Sequence, residues 1–189
     1  MAVSQYKILG ANIGGGAISD IDTVKRFPLG LEVQVVRVAT GASDTVPGFE
    51  AGVAKYVQGS NVASVGQFVH ISQGSAVLLA NANSASKFPI GIACAALTAT
   101  SQYGWAMVEG PVDFARGTNS SIAAGAPLYL AAGSAGIAVS VVTSGNQIFG
   151  AVAPASYTSS QSNSMTVHLN RPMLIGVLVG STNASVSGV

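Results

Sequence analysis

Apolar residues along this 189-residue chain recur in short runs that alternate with polar positions or stand unbroken, and glycine interrupts them every few residues. The runs in the first half are Leu31–Val38, Gly52–Val57, Gln67–Ser72, Ala76–Leu79, Pro89–Ala95 and Tyr103–Glu109. Those in the second half are Val112–Ala115, Pro127–Leu130, Ile137–Val142, Ile148–Ala153 and Met165–Leu169. Runs of about four to eight residues, rich in Val, Ile and aromatics and closed by turn residues, predict strands. A helical spacing occurs only over Ser19–Phe27, where Ser19 or Asp20 would cap a short helix. The pattern predicts an all-β protein.

Sliding the chain against itself adds an internal repeat. Gly66, Gly74 and Gly91 fall on Gly125, Gly133 and Gly150 at a constant offset of 59, without gaps. Val69, Ile71, Ile92 and Val108 fall on Leu128, Leu130, Ala151 and Val167, and Ser75-Ala76 falls on Ser134-Ala135. Two copies of one β unit, 49–108 and 108–167, follow from this. Gly66 and Gly125 would turn the chain into a strand with positive φ. Gly74 and Gly133 would sit in hairpin turns, and Gly91 and Gly150 at bulges or close backbone approaches. A small meander cannot bury both its faces alone, so the two units are expected to pack into one sandwich or barrel-like domain. The expected divisions are an extended N-terminal arm and first strand over 1–48, a β domain over 49–171, and a tail over 172–189.

Charge changes the picture. Only 8 % of residues are charged and the formal net charge is +1, against about 25 % charged residues in an ordinary soluble domain. Near-neutrality gives no reason to expect nucleic acid or an anionic membrane as partner. A surface with so little charge points instead to an assembly component covered by other subunits. Ten of the fifteen charges lie in the first 59 residues, which gives the N-terminal segment a role of its own. The single cysteine, Cys94, excludes an intrachain disulfide scaffold. Met1–Ser4 leads directly into the polar Gln5–Lys7, so no signal peptide is expected, and Met173–Val179 is too short to span a membrane as a helix. Synthesis in a cytoplasm is the expectation.

Residue types used in catalysis and metal binding occur in this sequence without the spacing their chemistry needs. His70 and His168 lie in separate strand runs, and one cysteine with no carboxylate cluster does not supply a zinc site. Asp20 and Asp22 lack the surrounding pattern of a calcium loop and read as turn or capping residues. Gly14-Gly15-Gly16 is not followed by the Lys-Ser/Thr of a phosphate loop and reads as a flexible joint. No serine sits in a nucleophile elbow with Asp and His partners. The expectation is no catalytic residue, no metal and no cofactor.

Two features remain. Trp105, in the alternating strand Tyr103-Gly104-Trp105, belongs to a core or a subunit interface in preference to a stacking platform for a sugar or base. Lys25 and Arg26 beside Phe27-Pro28-Leu29 join cations to apolar anchors, the composition of a contact element. Lys25, Arg26, Phe27, Leu29 and Trp105 are therefore the candidate interface residues. Met1–Gly30 is expected to be an arm ordered by a partner, or else to complete the core through Ile8, Ile13, Ile18 and Phe27.

Several phrases resemble small bacteriophage head proteins. Tyr56-Val57-Gln58-Gly59-Ser60-Asn61-Val62-Ala63-Ser64-Val65-Gly66-Gln67-Phe68-Val69 carries the resemblance, with Pro89-Ile90-Gly91-Ile92-Ala93 and Ser101-Gln102-Tyr103-Gly104-Trp105 downstream. Ala124-Gly125-Ala126-Pro127-Leu128-Tyr129-Leu130 through Gly150-Ala151-Val152 is similar to the glycine-punctuated pattern of capsid decoration, or cement, proteins. The resemblance covers roughly Lys25–Arg171 and implies a structural virion protein on the capsid exterior, with the major capsid protein as partner and with copies of itself, a trimer at a local three-fold position in preference to a dimer at a two-fold one. A receptor- or carbohydrate-binding β module on a head, tail or fibre is the alternative, and an exposed Trp105 would favour it.

Overall fold

The computed structural model describes residues 5–9, 17–38, 50–62, 64–78, 89–115, 117, 121–131, 134–140, 146–158 and 164–175. Among these the chain forms β1 (Gln5–Ile8), β2 (Glu32–Val38), β3 (Ala51–Ser60), β4 (Phe68–Ser72), β5 (Ser75–Leu78) and β6 (Ile90–Ala93). It continues with β7 (Tyr103–Ala115), β8 (Pro127–Leu130), β9 (Ala138–Val139), β10 (Gln147–Val152) and β11 (Met165–Ile175). The fold is all-β, as the pattern predicts.

Strand order is β1-β2-β3-β5-β4-β6-β7-β11-β10-β8-β9, and β3 also pairs with β7. That second pairing closes β3, β5, β4, β6 and β7 into a five-stranded barrel. Successive side chains point to opposite faces, and buried residues line both. Val57, Val69, Ile71, Ala76, Ala93, Ala106 and Val108 come from all five strands and form one cluster of small and medium side chains. They are of a size to fill so narrow a ring. Ala54, Tyr56, Phe68, Ile90, Ile92, Trp105 and Met107 face the other way. They join a larger core that continues into Ile122, Leu128, Ile148, Val167 and Leu174 of the second half.

Strand β7 serves both halves. Its first part pairs with β3 and its last part with β11. The pairings β4–β5, β4–β6, β6–β7 and β3–β7 recur, in the same sequence order, as β8–β9, β8–β10, β10–β11 and β7–β11. The parallel β3–β5 contact has its counterpart in the parallel bridge between Gly117, just past β7, and Ala138 of β9. Within the glycine pairs, Gly66 and Gly125 share positive φ (84° and 73°). Gly150 has φ 75° at a β-bulge, whereas Gly91 is ordinary strand whose absent Cβ makes room for the Met107 carbonyl. Gly133 lies outside the described residues.

Strands β1 and β2 extend the sheet beyond β3. Ion pairs tie this extension to the two halves. Glu32 of β2 meets Lys55 of β3 at 3.0 Å and Arg171 of β11 at 3.0 Å, and Arg171 also meets Glu109 of β7 at 3.1 Å. Arg37 meets Glu50 at 3.2 Å and Asp113 at 3.1 Å, beside Tyr6, whose hydroxyl donates to the Pro111 carbonyl.

Three expectations are corrected. Ser19–Phe27 is not a helix: residues 17–20 make a turn, and Asp22 bridges to Tyr103 through two backbone hydrogen bonds of 2.8 Å. Backbone groups spent on the barrel are lost to the i→i−4 bonds of a helix. The runs Tyr103–Glu109 and Val112–Ala115 form one strand across Gly110-Pro111, and β11 continues through Ile175, past the expected domain end at 171. Gly14-Gly15-Gly16, Ile13 and residues 176–189 lie outside the described residues.

Candidate docking site

The site grows from the outer face of β3 and β7. Tyr56 lies directly across from Trp105, and Gln58 across from Tyr103. Because alternate residues share a face, Tyr103 and Trp105 both stand beside Tyr56. Tyr56 and Tyr103 stack with centroids 6.2 Å apart, and Tyr56 meets Trp105 edge-on at 5.0 Å. Such a face would be an aromatic platform if it were open.

It is covered by the chain's own residues 17–31. Phe27 packs edge-on against Tyr56 at 5.1 Å and tilted against Trp105 at 5.7 Å. Ile18 is buried in the same core, and Ile8 and Leu29 pack against it. The covering strap is fastened along its length. Gly30 N–H donates to the Tyr56 carbonyl, and Tyr56 N–H donates to the Leu31 carbonyl, each at 2.8 Å. Leu29 lies over Gly74 in the β4–β5 turn.

Asp22 is the hub of the strap. Its carboxylate accepts the Tyr56 hydroxyl at 3.0 Å and pairs with the Arg26 guanidinium at 2.9 Å, while the Arg26 amide donates to the Tyr56 oxygen at 3.3 Å. Burial, reinforced by the Asp22 carboxylate, pushes the Tyr56 phenol above its ordinary pKa, so the hydroxyl remains a donor at neutral pH. A turn braced in this way holds its outward side chains in one geometry, which lowers the ordering cost of any contact they make.

Those outward side chains differ in part from the expected set. Lys25 and Arg26 are exposed, Arg26 with its guanidinium paired to Asp22, and Phe27 and Leu29 are half-buried against the barrel. Trp105 is 3 % exposed, which corrects its place among the interface candidates: it belongs to the chain's own core and acts by supporting Phe27. The structure adds two apolar residues, Ile21 and the 72 % exposed Val24. With the exposed Lys25 they make up an outward knuckle of the strap that carries apolar groups and a cation. The sequence marks Asp22 only as a turn or capping residue and does not mark Tyr56. The alternation Tyr103-Gly104-Trp105 signalled the aromatic face, but nothing local paired it with Tyr56.

Elsewhere the polar chemistry is dispersed. Cys94 is fully buried, and burial pushes its thiol up to about 12. His168 is exposed on β11, and His70 is half-buried on β4. Among the described residues no group of three or more His, Cys, Asp or Glu is placed to hold a metal ion. What this arrangement can do is present a rigid apolar and basic turn to another surface. Comparison with protein-family models, with curated proteins and with solved structures finds no match to this chain.

Proposed function

We propose that the chain is a structural virion protein that binds the outer surface of an assembled phage capsid and bridges neighbouring major capsid subunits. The single observation that carries the docking part of this reading is the braced knuckle of Ile21, Val24 and Lys25, with Val24 72 % exposed on a strap tied to the barrel at both ends. Apolar anchors held rigidly beside a cation are what a contact element needs. The partner and its setting, the capsid exterior, come from the resemblance of the sequence phrases. The chain acts without catalysis, as copies associated with one another, and works by mass action: a protein that binds the lattice and not its free subunits stabilises the lattice by its binding free energy. The carbohydrate-platform reading loses its support, because Phe27 lies over Tyr56 and Trp105.

The test is cosedimentation of the full chain with purified heads, with head melting followed by calorimetry. The expected result is saturable binding and a raised head-melting temperature, both reduced in the surface variant V24D/K25E. Binding that is absent, or unaffected by that variant, would overturn the reading.

A further inference from the structure

The described large apolar side chains left exposed fall into two places. Leu9, Ile21 and Val24 belong to the N-terminal segment, and Phe149 (45 %), Val152 (41 %) and Met173 (41 %) to β10 and β11. The second group forms one patch. Phe149 is paired directly across from Met173, and Val152 directly across from His168 on one side and Pro127 on the other. Phe149 and Val152 are three residues apart and would point to opposite faces in a regular strand. The register with β11 slips here, where Gly150, at φ 75°, faces the three residues Asn170 to Pro172, and with Ile148 and Ala151 buried, Phe149 and Val152 both emerge on the same outer face. A side chain at Gly150 would strike the Asn170 carbonyl at 2.5 Å. The slip is therefore built around a glycine and sets the composition of this face.

We propose that this outer face of β10 and β11 is a self-association surface, on which the same face of a second copy seats about a two-fold axis. Charge identifies the occupant. No Asp, Glu, Lys or Arg occurs anywhere between Arg116 and Arg171, and the Arg171 guanidinium beside the patch is turned to Glu32 and Glu109. An oppositely charged surface would find no partner for its charges here and would have them desolvated at a cost. An identical face, whose bordering charges Arg171, Glu32 and Glu109 already pair with one another, brings no such cost. A face that meets itself generates a two-fold contact, a dimer in place of the trimer that a local three-fold capsid position would impose. A stable interface takes about 800 Å² from each partner, more than three side chains expose. The contact therefore extends over the exposed rim of Pro127, His168 and Asn170, with Glu109, directly across from Asn170, already paired to Arg171. The inference deepens the reading of an assembly component and rests on it in one respect, that copies of the chain associate.

Sedimentation velocity of the full chain tests it, with the 18.8 kDa chain mass as reference. The expected result is a dimer, with F149S/M173S weakening association by on the order of a hundredfold as two apolar anchors are lost. That variant should keep the wild-type melting midpoint, and V24D should remain dimeric. If F149S/M173S melts early, the single variant F149C replaces it: mild oxidation should give a covalent dimer across the axis. A wild-type monomer or trimer, a folded F149S/M173S that stays dimeric, or F149C that does not cross-link would overturn the inference. Head binding is scored separately. A dimer that ignores heads removes the capsid reading and leaves this one standing, and a monomer that binds heads does the reverse.

Discussion

Tyr56 and Asp22, 34 residues apart, share a buried hydrogen bond of 3.0 Å from the phenol to the carboxylate. It joins the barrel to the strap that covers it, and it lets a carboxylate that is only 9 % exposed remain among aromatic rings. Tyr56→Phe keeps the ring stacking and removes this donor. Hydrogen bonds to charged groups contribute about 1.5–3 kcal/mol. The variant should lose stability on that scale in urea denaturation followed by Trp105 emission. It should also admit a water-soluble quencher to Trp105, which is 3 % exposed in the wild type. Unchanged stability and quenching would mean that the strap is held by Phe27 and the backbone bonds alone.

The Leu29 end of the strap gives a comparison between two glycines. Gly30 and Gly74 both have φ near +84° (84° and 83°), but a Cβ on Gly30 would meet open space, whereas one on Gly74 would lie 2.6 Å from the Leu29 Cβ. Alanine at positive φ costs more than about 1 kcal/mol, and Gly74→Ala adds displacement of Leu29 to that. Chemical denaturation should rank wild type above Gly30→Ala and Gly30→Ala above Gly74→Ala. Equal losses would show that Leu29 is free to shift.

Alkaline pH should reveal the buried thiol. The Cys94 pKa is raised from 9.0 to about 12 by burial. Below about pH 9 neither folded nor unfolded chain ionises this group, so its stabilising contribution is complete. As pH rises towards 12 only the unfolded chain releases the proton, and stability falls by at most about 1.4 kcal/mol per pH unit. Tyr6 and Tyr56, also raised, act with the same sign at higher pH. The difference between wild type and Cys94→Ala isolates the thiol. That difference should be flat below about pH 9 and shift against wild type above it.

At the acid end, hydrogen bonds from Arg171 first and Lys55 second hold Glu32 below the usual carboxylate range. A depressed pKa contributes stability above the unfolded value, about 4.3, and loses it as pH falls through the folded value. Arg171→Gln should raise the Glu32 titration midpoint, read by NMR. Its stability deficit should be present at neutral pH and close in acid. A Glu32 midpoint that does not move would assign the shift to Lys55.

Strands were legible because alternation and glycine punctuation are local. The runs around Val33 and Val35, Phe68 to Ile71 and Ile148 to Ala151 each became a strand near its expected limits. β1 was not legible: four residues with a lysine among them carry too little pattern. Nor was the continuity of β7, since Gly110-Pro111 reads as a break. There the strand passes from pairing with β3 to pairing with β11, and Pro111 takes its place across from His168.

The sequence by itself determined the all-β class, the positions of most strands, the scarcity of charge and the order of residues on each strand face. Tertiary structure alone decided what covers each face. Trp105 and Val24 show the difference. Alternation placed Trp105 with Tyr103, but whether that face met solvent, a partner or the chain itself depended on Phe27, which arrives from a segment nearly eighty residues earlier. Val24 lies in the same segment and was left outside by the turn that brought Phe27 in. The physical reason is that periodicity reports the geometry of a few consecutive residues, set by backbone sterics. Burial is set by contacts between distant parts of the chain, which no local pattern encodes.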